Sequence, residues 1–148
     1  MSSRGVYRAI FSVLFDDLDY QRLSPAARLT LLTLRQCREA GPAAIFLYTW
    51  EALGRQTGLT RVQLVRSFHD LEEGRWIVHE APVVWIRNGL RYDPWIAISN
   101  PKHRAAVIDA LERLPRLHIV RSFCDHYKIS YPWAWLSDTH GQSVSSDK

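Results

Sequence analysis

The sequence predicts an α+β protein that is mainly helical, with a small β-hairpin and a C-terminal helical extension. Two helix starts carry this prediction, because Ser24-Pro25 and Asn100-Pro101 each place a capping side chain before a proline. Short runs of β-branched and aromatic residues, bounded by glycine or proline, lie between them and are typical of strands. With 148 residues, of which 47% are hydrophobic, the chain has enough apolar area for one core. We therefore expect a single globular unit.

The first predicted helix runs from Pro25 to Ala40 and ends before Gly41-Pro42, where a glycine follows the last turn. Its apolar residues recur at helical spacing and form a broad stripe. We expect this stripe to centre on Leu29, Leu32 and Cys37, with Leu31 and Leu34 at its margins. The run "AAIFLY" that follows is short, apolar and rich in strand formers, so it predicts a strand.

The next stretch predicts two helices joined by a tight turn. Thr49 opens the first of them, "TWEALGRQTG", which Gly58 closes. Thr60 caps the second, which reaches about Glu73 and stops at Gly74. The inward face of this second helix is marked by the spacing of Leu64, Phe68 and Leu71. The runs "WIVHE" and "VVWIR" then predict a hairpin.

A C-terminal extension of two helices follows. The first begins after Asn100 and covers "PKHRAAVIDALERL", and the second runs from Arg116 to about Ile129. We expect the first to turn Ala105, Ile108 and Leu111 or Leu114 inward, and the second to bury Ile119, Val120, Phe123 and Tyr127. The predicted layout is one domain over 1–99, an extension packed on it over 100–135, and a disordered polar tail over 136–148.

The order helix, strand, helix, tight turn, helix, hairpin is that of a winged helix-turn-helix, in which the helix before the hairpin is presented to the major groove of DNA. A step of about 100° per residue turns the following side chains of that helix outward: Val62, Gln63, Arg66, His69 and Asp70. The basic residues of this helix lie in its first half and its acidic residues in its second, which suits contact with bases through the N-terminal turns.

This surface predicts contacts to double-stranded DNA. Arg66 has the geometry for guanine and Gln63 for adenine, while other basic and hydroxyl side chains meet phosphates. At the predicted hairpin tip, Glu80 stands where a basic residue would meet phosphate, so the hairpin itself looks structural. The full set of expected DNA contacts is Arg55, Thr60, Arg61, Val62, Gln63, Arg66, His69, Arg75 and Arg87. The alternative is that these arginines only solvate an exposed face.

Four stretches together resemble phage replication proteins related to the N-terminal domains of DnaD-type replisome organisers. They are "YRAIFSVLFDDLDYQRLSPAARLTLLTL", "LGRQTGLTRVQLVRSFHDLEEGRWIV", "RYDPWIAISNPKHRAAVIDALERLP" and "FCDHYKISYPW", within roughly residues 6–135. The resemblance implies a winged helix that acts in replication initiation through DNA binding, self-association or recruitment of other replication proteins.

Composition limits the other classes of function. The formal charge of +4 permits a polyanionic partner. No apolar run is long enough for a bilayer, and the N-terminus lacks a signal-peptide pattern, so no membrane partner and a cytoplasmic location are expected. The six His and two Cys show no metal-binding spacing, and no phosphate loop or nucleophile motif is present. We expect no catalytic residue, no metal, no cofactor and no disulfide.

Three alternatives stay open at this stage. A transcriptional repressor would present the same surface as a replication factor. A protein-interaction module on a winged-helix scaffold would bind another protein through residues 49–75, which carry four basic and four acidic side chains and so have no net charge. The acidic hairpin tip and the modest net charge of the chain favour it. Homo-oligomerisation is expected through the apolar segment Val6–Phe15 or through the aromatic segment "YPWAWL".

Overall fold

The structure, a computed structural model, describes residue 10 and residues 12–87 and 99–133. Within these residues the chain is mainly helical, with a three-stranded antiparallel sheet. In chain order the elements are α1 (Val13–Asp16), α2 (Leu18–Gln21), α3 (Pro25–Gln36), a 3₁₀ turn (Arg38–Ala40), β1 (Ile45–Leu47), α4 (Trp50–Thr57), α5 (Arg61–Glu73), β2 (Ile77–Glu80), β3 (Val83–Ile86), α6 (Pro101–Glu112) and α7 (His118–Tyr127).

Helix α3 begins as predicted and ends earlier than predicted. The Ser24 hydroxyl accepts a hydrogen bond from the Ala27 N–H at 3.1 Å. The helix ends at Gln36 rather than Ala40, because Cys37 adopts an extended backbone with ψ 151°. Its thiol donates to the Leu34 carbonyl at 3.3 Å, so it satisfies one of the acceptors that a helix end leaves open. The change of direction buries both Cys37 and Ala40 in the core.

The core-facing stripe of α3 differs from the predicted one. Leu29 was expected at its centre but is 40% exposed, and Leu32 is only half-buried. The polar Thr30 is fully buried instead, which is possible because its hydroxyl donates to the Ala26 carbonyl at 2.8 Å. The observed stripe is Ala27, Thr30, Leu31 and Leu34.

Helices α4 and α5 have the predicted boundaries. The Thr49 hydroxyl caps α4 by accepting from the Ala52 N–H at 3.1 Å, and Gly58 ends it in the left-handed region with φ 76°. After α5, Gly74 has an ordinary φ of −75°, whereas Arg75 has φ 62°. Glycine is needed at 74 for space, since a Cβ there would lie 2.9 Å from the Trp76 ring.

The sheet has β3 at its centre, in the order β1-β3-β2. All four residues of β3 are buried, because helices cover both faces of the sheet. Opposed residues of an antiparallel pair share a face, and His79 lies 5.2 Å from Phe68 of α5 between ring centroids. On the other face, Trp85 lies 5.5 Å from Phe123 of α7. The predicted hairpin is confirmed, and its β3 strand is enclosed between two helical layers.

The extension places α7 on the sheet, with some changes to the predicted inward faces. In α6, Ala105 is exposed and Val107 is buried together with Leu111 and Leu114. A small alanine adds little apolar area, so its position does not decide which side of a helix packs. In α7, Ile119, Val120 and Phe123 are buried as predicted, Cys124 joins them, and Tyr127 is only half-buried. The two helices end at Glu112 and Tyr127, each two residues earlier than predicted.

The N-terminal helices leave apolar side chains at the surface. Asp17 caps α2 by accepting from the Asp19 N–H at 2.8 Å. Val13, Phe15 and Leu18 are exposed in this region. Residues 6–9 and 11 of the predicted oligomerisation segment Val6–Phe15 lie outside the described residues. The same holds for the stretch 88–98 and for the predicted tail 136–148.

Two further findings concern the thiols and the membrane. Cys37 and Cys124 are both buried, as expected, and both are thiols. Burial raises the pKa of the Cys124 thiol to about 11, and the neighbouring Asp125 carboxylate adds to this shift. In the part of the chain that the structure describes, no helix combines the length and the apolar character that a bilayer crossing requires.

Candidate nucleic-acid interface

Packing of α5 fixes which of its side chains face outward. Its buried residues are Leu64, Ser67, Phe68 and Leu71, and the Ser67 hydroxyl donates to the Gln63 carbonyl at 2.8 Å. The opposite face therefore meets solvent, as the sequence predicts. Its exposed residues span an arc of about 100° and are Val62, Val65, Arg66, His69 and Glu73.

The start of α5 is held by a capping box. The Thr60 hydroxyl accepts from the Gln63 N–H at 3.3 Å, and Gln63 Oε1 accepts from the Thr60 N–H at 2.9 Å. The predicted adenine contact of Gln63 is at odds with this geometry, because the amide oxygen that would accept from the base already closes the cap. The sequence carried the signal, since threonine followed three residues later by glutamine is the capping-box spacing.

Arg61 lies against an aromatic cluster. Its guanidinium carbon is 5.6 Å from the centroid of the Trp50 ring, a cation–π contact between the starts of α5 and α4. The Trp50 ring in turn contacts Phe68 at 4.8 Å between centroids and Tyr48 at 5.2 Å. Burial raises the pKa of the Tyr48 phenol, the Glu72 carboxylate raises it further and the Arg61 guanidinium opposes them. The charge of Arg61 is thus held at a fixed point beside α4.

Arg66 is exposed beside two exposed valines. Val62 is 75% exposed and Val65 is 48% exposed, and the three side chains line one shallow depression with His69. Among the described residues, no ion pair involves Arg66. Its guanidinium donors are therefore available to a ligand. Val65 is absent from the predicted contact set, although its spacing of three from Val62 places it on the same face.

The second half of α5 is acidic. His69 lies 3.8 Å from Glu73 in an exposed ion pair one turn apart. Together with Asp70, these side chains have ligand atoms within 4.8 Å of one another, a grouping with the donor types that a metal ion uses. All three lie at the surface, and the His69–Glu73 pair occupies two of them. Asp70 and Glu73 also line an open cleft of about 800 Å³ with Asp19.

The remaining predicted basic residues do not all reach this surface. Arg55 is exposed in the last turn of α4 and lines a separate cleft of about 330 Å³ with Leu47 and Glu39. Arg75 and Arg87 lie at the far end of α5, which is about 20 Å long. The Arg87 guanidinium lies 5.0 Å from the Trp85 ring centroid, on the face of the sheet that α7 covers. The structure thus separates Arg75 and Arg87 from Arg61.

The end of the hairpin is attached to neighbouring elements on three sides. The Pro82 carbonyl accepts from the Tyr48 N–H at 2.9 Å, and Glu72 accepts from the His79 N–H at 3.0 Å. Glu80 Oε2 accepts from the Ile119 N–H at 3.0 Å. Glu80 therefore caps α7, whose own N-cap residue, Leu117, makes no side-chain cap.

This role of Glu80 was missed because its partner lies 39 residues further along the chain. Short-range spacing, which identifies most caps, carries no signal of it. No protein-family model, curated protein or solved structure matches this chain.

Proposed function

We propose that the chain binds double-stranded DNA as a winged-helix protein whose helix α5 enters the major groove. The observation that carries the proposal is the element order α3-β1-α4-α5-β2-β3 combined with the strand order β1-β3-β2. In winged helices, the helix before the hairpin contacts bases and the helix preceding it crosses the phosphate backbone. Helices α5 and α4 have these positions in the chain.

The charge distribution along α5 supports this orientation. Arg61 and Arg66 lie in its first half, where the helix dipole adds partial positive charge. Asp70, Glu72 and Glu73 lie in its second half and would be repelled by phosphates. Contact with the groove is therefore confined to the N-terminal turns.

Each side chain in this proposal has a distinct role. Arg66 donates to guanine, while Arg61 and Arg55 meet phosphates. The Thr60 hydroxyl is engaged in the capping box and holds the helix start. Gln63 acts by stabilising the helix start, because its side chain is part of the capping box.

The hairpin is not part of the proposed DNA contact. Glu80 brings an acidic group close to its tip and is hydrogen-bonded to α7. With Arg75 and Arg87 at the other end of α5, three cations remain for phosphate or base contacts. Arg61 and Arg55 make the phosphate contacts, and neutralising two phosphates gives a slope of log affinity against log salt of about −2.

On the resemblance to replisome-organiser domains, we propose that this binding acts in phage-type replication initiation, with self-association and recruitment of replication proteins as accompanying activities. A transcriptional repressor would use the same α5 surface.

The second candidate function is a protein-interaction module. The observation that favours it is the open cleft beside the second half of α5, which is lined by three acidic side chains and two arginines: Asp19, Asp70, Glu73, Arg22 and Arg75. A partner segment that carries both basic and acidic groups would match that cleft by charge.

Fluorescence anisotropy tests the proposal. The full chain is titrated against a labelled random duplex of about 30 base pairs and a single strand of equal length, at several salt concentrations. The expected result is duplex binding with the salt slope given above. Arg66→Ala should weaken duplex binding. Arg113→Ala removes the same charge from an exposed ion pair with Asp109 on α6 and should leave duplex binding unchanged. Absence of duplex binding at low salt would contradict the proposal and favour the interaction module.

A further inference from the structure

The exposed face of α5 carries two valines that are not part of the buried core. Val62 is 75% exposed and Val65 is 48% exposed, while the core side of α5 is complete without them. Valine is also a weaker helix former than the unbranched residues usually found at such positions, because its χ1 is restricted in a helix. Neither packing nor helix stability therefore accounts for the pair.

The surroundings of the two valines define a small composite surface. Arg66 follows Val65 directly and lies one turn after Val62, so the three side chains lie within about 6 Å along the helix axis. That distance corresponds to about two base-pair steps of B-DNA. The neighbouring polar side chains have other contacts, because Gln63 closes the capping box and Arg61 lies against Trp50.

An apolar pair beside an unpaired guanidinium matches the major groove better than it matches an apolar protein surface. The groove edge of thymine carries a methyl group, and guanine and adenine carry acceptors that an arginine can reach. A purely apolar partner would bury the Arg66 guanidinium without an acceptor, which is costly. Duplex DNA offers both kinds of group at adjacent base pairs.

We propose that Val62 and Val65 read thymine methyl groups in the major groove, next to an Arg66 contact to a purine. This inference rests on the proposed function and specifies its substrate class as duplexes with thymine next to the base pair that Arg66 contacts. Both valines are specificity-determining residues in this arrangement, and the hairpin takes no part in base reading.

Replacing thymine by uracil tests the inference, because it removes only the methyl group. The probes are two labelled duplexes of about 30 base pairs, one with guanine and thymine alternating along one strand and the other with uracil in place of every thymine. Loss of one buried methyl weakens binding about fourfold, so loss of two should weaken it about 15-fold. The variant Val62→Ala with Val65→Ala should bind both duplexes equally, at the affinity of the wild type for the uracil duplex.

Leu29→Ala is the control, since Leu29 is an apolar side chain on α3 that is 40% exposed. It should keep the full preference for thymine. Equal wild-type affinity for the two duplexes overturns the methyl contact and leaves DNA binding standing. The inference is also overturned if the double substitution weakens binding to the thymine duplex and to the uracil duplex by the same factor. The valines would then act through the structure of α5. Absence of binding to these duplexes and to the random one means that the proposed function itself has failed.

Discussion

The hydrogen bond between the hairpin and α7 leads to a quantitative prediction for Glu80→Ala. Glu80 Oε2 accepts from the Ile119 N–H at 3.0 Å and replaces the missing N-cap of α7. Loss of a capping acceptor costs about 1 kcal/mol, and loss of a negative charge at a helix N-terminus costs about 0.5 kcal/mol. We expect the free energy of unfolding to fall by about 1.5 kcal/mol, which lowers the Tm of a chain of this size by about 5 °C.

Circular dichroism during thermal and urea unfolding measures this change, and two further variants separate its parts. Glu80→Gln keeps an acceptor oxygen and loses only the charge, so it should cost about 0.5 kcal/mol. Glu112→Ala removes an exposed carboxylate from the last turn of α6 and should change stability by less than about 0.5 kcal/mol. A Glu80→Ala variant as stable as Glu112→Ala would refute the capping role.

The other predictions concern helices α5 and α7. Thr60→Ala breaks the capping box of α5 and should lower the free energy of unfolding by about 1 kcal/mol in urea, with Thr60→Ser restoring most of it. Phe123→Ala removes a fully buried ring that contacts Trp85 and should cost about 3–5 kcal/mol, measured in the same way. Cys124, with its pKa raised to about 11, should resist thiol reagents at pH 8 until the chain unfolds. Because burial favours the protonated thiol, its contribution to stability should be complete below about pH 9 and lost as the pH rises towards about 11.

Local signals in the sequence predicted the elements well. The starts of α3 and α6 follow from a capping side chain and a proline in adjacent positions, and the bounds of α5 from Thr60 and Gly74. In each case the residues that set a helix end lie within one helical turn of that end. The outward set Val62, Arg66 and His69 could be predicted for the same reason, because helix geometry fixes it once the buried face is known.

Features that depend on distant residues could not be predicted. Leu29 and Thr30 are neighbours in α3, and which of them is buried depends on how α5 packs against that helix. Nothing near Glu80 in sequence indicates that it caps a helix 39 residues away. Sequence patterns also could not predict the positions of Arg75 and Arg87, because both depend on where along α5 the sheet packs.

The enclosure of β3 between two helical layers has a consequence for how the chain folds. Val83 and Trp85 become buried only when α7 packs on the sheet, so the hairpin and the C-terminal extension depend on each other for burial. We therefore expect all the described elements to melt in a single cooperative transition. A chain truncated before Asn100 would expose a flat apolar sheet surface in place of that layer, and such surfaces promote aggregation.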